Sequence, residues 1–423
     1  MIPLHWPSSR SSAAAALILL LAIMASGCGG ASAKPNGEAA TREAAASPSD
    51  AAPAQVPKRG PVWLDTLQMV SATTGWALLW PSNPNHSSAL AVARTTDGGR
   101  TWTAVTPPSA VPGLAPGQAL LEAATARRAW FTVTTGTGGS RATTHVFGTT
   151  DGGQSWRESS AVGGGSPVAI DFAGPRRGWL LNSPGAAMNQ NPVALYRTTD
   201  GGLRWSLVAK SPRTAADPAT SSGLPVACDK DGVAFESAQV GWITGSCTAV
   251  EGAVLASTDG GAHWASASLP PAAQDCQQNG CDIPAPDFAG HAVFLVIGVY
   301  PTGAYLLCSN DAGQDWQAYP MPAGAGPYPR IRFFSADDGI AISAGSQGTI
   351  GRDFYLTTDG GMSWTAVRQG VRFGGNWDDF DFVSQRAGFA WTNPGGDLSA
   401  APLRLYRTSD SGRTWASFVP RLS

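Results

Sequence analysis

Thr95-Thr96-Asp97-Gly98-Gly99-Arg100-Thr101-Trp102 is an eight-residue stretch that the chain repeats six more times. The later copies read T-T-D-G-G-Q-S-W (149–156), T-T-D-G-G-L-R-W (198–205), S-T-D-G-G-A-H-W (257–264), S-N-D-A-G-Q-D-W (309–316), T-T-D-G-G-M-S-W (357–364) and T-S-D-S-G-R-T-W (408–415). Their aspartates, Asp97, Asp151, Asp200, Asp259, Asp311, Asp359 and Asp410, are separated by 54, 49, 59, 52, 48 and 51 residues. A period near 50 with strand-rich content is the mark of a propeller in which each repeat forms one blade. Seven copies therefore predict an all-β fold, a seven-bladed β-propeller with four-stranded antiparallel blades.

Each copy reads as a tight turn between two strands. The Asp carboxylate can accept hydrogen bonds from amides just downstream, and the glycines supply the positive φ that such a turn needs. The Trp then returns on the next strand, so Trp102, Trp156, Trp205, Trp264, Trp316, Trp364 and Trp415 are expected to pack. A calcium loop would need further oxygen ligands and a terminal Glu, and none has that spacing.

The pattern resembles the Asp-box, or BNR repeat, S-x-D-x-G-x-T-W. Its family includes sialidases, some endoglucanases, the sortilin ectodomain and the photosystem II assembly-factor propellers. The resemblance spans 61–423, that is 363 of 423 residues. It implies the propeller fold, but the box is shared by enzymes and binders alike and names no activity. The layout of export signal, tether and seven boxes is most similar to the photosystem II assembly-factor group.

A second signal recurs upstream of the boxes: Gly75-Trp76, Trp130, Gly178-Trp179, Gly241-Trp242, Gly339-Ile340 and Gly388-Phe389. With the short apolar runs before them, the third repeat reads as strands over 168–172, 178–181, 193–198 and 204–209. Counting eight residues back from the aromatic slot gives Gln68, Glu122, Asp171, Ala234, Arg332 and Asp381, and Asp287 fills the place in the shorter fifth repeat. Six of the seven are polar although their neighbours are apolar. Because innermost strands line a propeller's channel, these residues are candidates for a channel ring, as a wet lining or as a site for a cation or basic segment.

Residues 1–27 read as a lipoprotein signal peptide, with Arg10, an apolar run over 13–25 and small residues before Cys28. The run is too short to span a bilayer. Cys28 is the expected lipidation site, which places the protein outside the cytoplasm on the cell membrane. Residues 28–60, rich in Ala, Pro, Ser and Glu, cannot build a core and read as a flexible tether.

Five further cysteines lie in the fourth and fifth repeats: Cys228, Cys247, Cys276, Cys281 and Cys308. Outside the cytoplasm disulfides can persist. Cys228 with Cys247 is one candidate pair; Cys276 with Cys281, or one of these with Cys308, is another. C-x4-C without a second ligand pair does not fit zinc. Net charge is −2 without a basic stripe, which gives no support for nucleic-acid binding.

Sialidases carry an early R-I-P motif, an arginine triad and a Tyr–Glu pair. Pro329-Arg330-Ile331-Arg332 matches only Arg-Ile, and late in the chain, while Tyr196, Tyr355 and Tyr406 fall on strands leading into boxes. No Ser-His-Asp order or H-E-x-x-H motif is present. The reading is therefore a non-catalytic, monomeric binding or assembly scaffold for an envelope protein or complex, without metal or cofactor. A glycan-acting hydrolase or lectin is the alternative. Recognition is expected on the face opposite the boxes, where connections over 81–88, 135–144, 211–232, 270–286 and 393–401 vary in length.

Overall fold

The computed structural model describes residues 62–81, 91–107, 119–136, 139–185, 190–247, 253–271, 281–299, 303–343, 351–373, 378–393 and 403–423. The expected signal peptide and tether, Cys28 and Cys276 lie outside the described residues, as do most of 81–88 and 393–401.

Seven antiparallel four-stranded blades follow one another, one per repeat, and a short two-stranded ladder of Ser246–Cys247 with Cys281–Asp282 lies beside the fourth. Their inner strands are Val62–Met69, Leu121–Ala123, Ser166–Asp171, Gly232–Phe235, Asp287–Ala289, Arg330–Phe333 and Asp378–Phe382. The third blade runs Ser166–Asp171, Gly178–Ser183, Ala194–Thr198 and Ser206–Lys210, within two residues of the sequence expectation at each strand boundary. A fifth strand joins blade 1: Arg421–Leu422 pairs in parallel with Thr101–Ala104, so the end of the chain lies on the first repeat. Among the described residues no helix is long and apolar enough to cross a membrane.

Core clusters form between successive blades. One joins Leu64, Leu67 and Ala77 of blade 1 to Phe389 and Leu405 of blade 7, which closes the ring with apolar surface. The aromatic slot explains much of this packing. Trp130 stacks on Phe172 of the next blade at 3.6 Å, Trp179 on Phe235 at 3.6 Å, and Phe294 on Phe333 at 3.5 Å. The glycine before the slot makes room for that phenylalanine: a Cβ on Gly178 would lie 2.6 Å from the Phe172 ring, and one on Gly241 2.3 Å from Phe235. In blade 2, where Ala123 replaces the bulky residue, Ala129 replaces the glycine and pairs with it.

Candidate functional site

All seven boxes share one hydrogen-bond scheme. In the first, Thr95 Oγ1 donates to Asp97 Oδ1 at 2.9 Å, the Gly99 amide donates to Thr95 Oγ1 at 3.0 Å, and the Thr101 amide donates to Asp97 Oδ1 at 2.8 Å. Asp200 accepts from the Leu203 and Arg204 amides, and Asp259 from those of Ala262 and His263. These bonds favour the carboxylate. Ser155 side-chain and backbone donors bring Asp151 down to about 2, and Asp97, Asp200, Asp259, Asp311, Asp359 and Asp410 are lowered as well.

The box tryptophans divide into two groups. Trp102 and Trp264 are buried, and Trp156, Trp205, Trp316, Trp364 and Trp415 are half-buried. The indole N–H of Trp102, Trp205, Trp264 and Trp415 donates to the carbonyl of the glycine two residues after the aspartate of its own box, at 2.9–3.1 Å. Trp156 instead reaches Val105 O at 2.6 Å, in the preceding repeat. The most deeply buried tryptophans are those of the slot, Trp76, Trp130, Trp179 and Trp242.

The seven ring positions share one register. Gln68 pairs with Trp76, Glu122 with Trp130, Asp171 with Trp179 and Ala234 with Trp242. Asp287 pairs with Phe294, Arg332 with Ile340 and Asp381 with Phe389. All seven are buried, and five of them bond to a neighbouring blade. Gln68 Nε2 donates to Leu121 O at 2.9 Å, and its Oε1 accepts the Ala123 amide at 2.7 Å. Asp171 accepts the Phe235 amide at 2.9 Å, Asp287 accepts the Phe333 amide at 2.6 Å, and Asp381 accepts the Met69 amide. Arg332 Nη1 donates to Asp287 at 3.2 Å. Gln68, Asp171, Asp287, Arg332 and Asp381 thus each bond to the inner strand of a neighbouring blade. Burial pushes Asp381 up to about 6 against the Met69 amide and the Arg332 charge, and burial raises Asp287 too. Among the described residues no group of His, Cys, Asp or Glu is placed to hold a metal ion.

The arginines of the partial sialidase motif serve seams between blades. Arg332 holds Asp287, and Arg330 forms an ion pair with Asp379 of blade 7. Tyr196, Tyr355 and Tyr406 lie on third strands, as expected, and the Tyr355 hydroxyl donates to Asp353 at 3.3 Å.

Cys228 and Cys247 form a disulfide with their Cα atoms 4.6 Å apart. Cys308 is a buried free thiol raised by desolvation, so the alternative of a bond from Cys276 or Cys281 to Cys308 is not realised. The long connection 211–232 is also pinned. The buried Lys230 ammonium donates to Ala227 O at 2.8 Å, Cys228 O at 3.2 Å and Asn191 O at 3.3 Å. Burial lowers Lys230 to about 8, although Asp229 and Asp231 pull it upward.

The opposite, box-bearing end has a feature the sequence does not display. The 1–2 turns and the boxes converge there: the Gly152 amide donates to Arg127 O, Gly201 to Arg176 O, and Ser411 to Arg386 O, at 2.9–3.0 Å. These turns carry exposed arginines across four consecutive blades: Arg386 and Arg413 in blade 7, Arg100 in blade 1, Arg127 in blade 2, and Arg176, Arg177 and Arg204 in blade 3. The same turns in blades 4 to 6 carry Glu236, Asp315, Asp337 and Asp338 instead. One end of the ring is thus basic over one arc and acidic over the other.

No family model matches the chain, and no curated protein matches it in sequence. Solved structures do resemble it. YCF48 bound to a D1 peptide matches with 15% identity and a TM-score of 0.40, covering 70% of this chain and 80% of that one. Prolyl oligopeptidase B from Galerina marginata matches with 10% identity and a TM-score of 0.52, covering 86% and 52%. A prolyl endopeptidase matches with 9% identity and a TM-score of 0.50, covering 85% and 50%. The chain spans about half the length of these peptidases, and at such identities the likeness is one of fold.

Proposed function

We propose that this protein is an exported, lipid-anchored β-propeller that works by binding, as a non-catalytic scaffold for an envelope protein or complex. The observation that carries this reading is the arginine arc over blades 7, 1, 2 and 3. Arginine forks pair with carboxylates bidentately, and a rigid ring holds their backbones at fixed spacing, so that only the side chains are ordered on binding. The partner chemistry that fits is an acidic protein surface, and the acidic arc of blades 4 to 6 disfavours other orientations. Export and anchoring rest on the signal peptide and Cys28.

The test is cross-linked capture from membranes with Arg127→Glu, Arg176→Glu and Arg177→Glu combined. All three side chains are exposed, so the melt should stay within about 2 °C of wild type, as surface changes usually do. Capture should fall about tenfold or more and weaken with salt in the wild type. Undiminished capture would move recognition to the opposite face.

A further inference from the structure

At the junctions of blades 3 with 4 and 5 with 6 the channel layer is fastened both by an inner-strand aspartate and by a stacked ring pair, and the junction of blades 4 and 5, which lies between them, has neither. Its ring position is Ala234, which has no side-chain acceptor for the next strand. The slot ring of Trp242 lies tilted at 42° and 5.7 Å from Phe288, where the neighbouring junction stacks Trp179 on Phe235 at 3.6 Å and 3°. Trp179 donates its indole N–H to Gly260 O of the next box, whereas the buried Trp242 Nε1 meets no acceptor among the described residues. The box that faces Trp242 is the one in which Ala312 replaces the first glycine.

Other fasteners occur at this place. Gly245 O accepts the Ile283 amide at 3.2 Å, and Ser246–Cys247 pairs with Cys281–Asp282, the segment that leads into blade 5. At the box end an exposed His291 contacts Glu236 at 2.8 Å. The strand Ser246–Cys247 is itself held on its other side: the Asp229 amide donates to Ser246 O, the Ser246 amide to Asp229 O, and Cys228 is bonded to Cys247. Lys230 then ties Cys228 O to Asn191 O of blade 3. The disulfide therefore braces a small ladder that stands in for the missing channel-layer bond.

We infer that the ring opens at the junction of blades 4 and 5, and that the Cys228–Cys247 disulfide is the lock on that opening. A dithiol reductant would release it in two exchanges. Its first thiolate attacks Cys247 Sγ, the half-buried member, and Cys228 leaves as a thiolate that takes up a proton. The second thiol of the reductant then displaces Cys247, leaving two cysteine thiols and the oxidised cyclic reductant. The Ser246–Cys247 strand loses its covalent brace, and the ladder to Cys281–Asp282 weakens with it.

The experiment is hydrogen exchange on the full chain, with and without dithiothreitol, read at Gly241–Thr244 and Ala292–Val299 and compared with Ala129–Thr135 and Gly178–Ser183. Reduction should speed exchange at the first pair about tenfold or more and leave the second pair nearly unchanged, because local opening reports local stability. Ala234→Asn, which supplies the missing acceptor, should slow exchange at the first pair in the reduced protein. If the double Ser variant of Cys228 and Cys247 does not fold, these two arms still decide the matter. Exchange that rises equally at all junctions, rises first elsewhere, or ignores both reduction and Ala234→Asn would overturn the inference.

Discussion

In the fifth box the position after the aspartate is Ala312 at φ 60°, and in the seventh it is Ser411 at φ 65°. Gly98, Gly152, Gly201, Gly260 and Gly360 fill that position elsewhere at φ 72–84°. A side chain in this region is strained by about 1 kcal/mol against glycine. Ala312→Gly and Ser411→Gly should each raise stability by about that amount in denaturant melts. A loss on either substitution would show that the side chain contributes more than its backbone strain. The second glycine is a different case, because the previous blade crowds it: a Cβ on Gly361 would fall 2.1 Å from Leu306 Cδ2. The box pattern is legible in the sequence because its bonds are local, each spanning four residues or fewer. The reason for the glycine before the slot was not legible, since the ring that occupies its space belongs to another strand.

Among the inner strands, the register of the ring was readable by counting, and its chemistry was not. The eight-residue offset placed six residues in one layer, with Asp287 filling the fifth repeat, but the bonds from Asp171 to Phe235 and from Asp287 to Phe333 span 64 and 46 residues. Asp381 shows what this costs. Folded, it keeps its proton up to about pH 6; unfolded, it releases it near 3.8. Between those values the folded state binds more protons, so this residue's contribution falls as pH rises through the window and is lost above it, on the order of 3 kcal/mol. Asp381→Asn keeps an acceptor for the Met69 amide without the charge. It should melt above wild type at pH 7.5, with the advantage shrinking to nothing by pH 4. An advantage that grows on acidification would contradict the burial argument. The box carboxylates act in the opposite sense, since their lowered values make their contribution fade as pH falls from about 4 toward 2.

For the whole molecule, three polar contacts that no single repeat contains add to the apolar seam that closes the ring. Asn393 bonds both backbone groups of Leu64 at 2.7–2.8 Å, Asp381 holds Met69, and the Ser423 amide donates to Trp102 O at 2.9 Å. Anchoring also belongs to this scale. Cys28→Ser should release soluble protein, or leave uncleaved precursor, in membrane fractionation. A variant that fractionates and migrates like wild type would remove the lipid anchor from the proposal.

The sequence by itself determined the number of blades, the strand order within each and the layer of the ring, because these follow from a period and from turns whose bonds are local. Only the tertiary structure decided that the ring's polar groups face neighbouring strands and that Arg332 meets Asp287. Only it decided that arginines from four repeats form one arc while Ala234 leaves one junction differently held. Each of these depends on residues some 50 positions apart being brought side by side, and curvature into a closed ring is what does so.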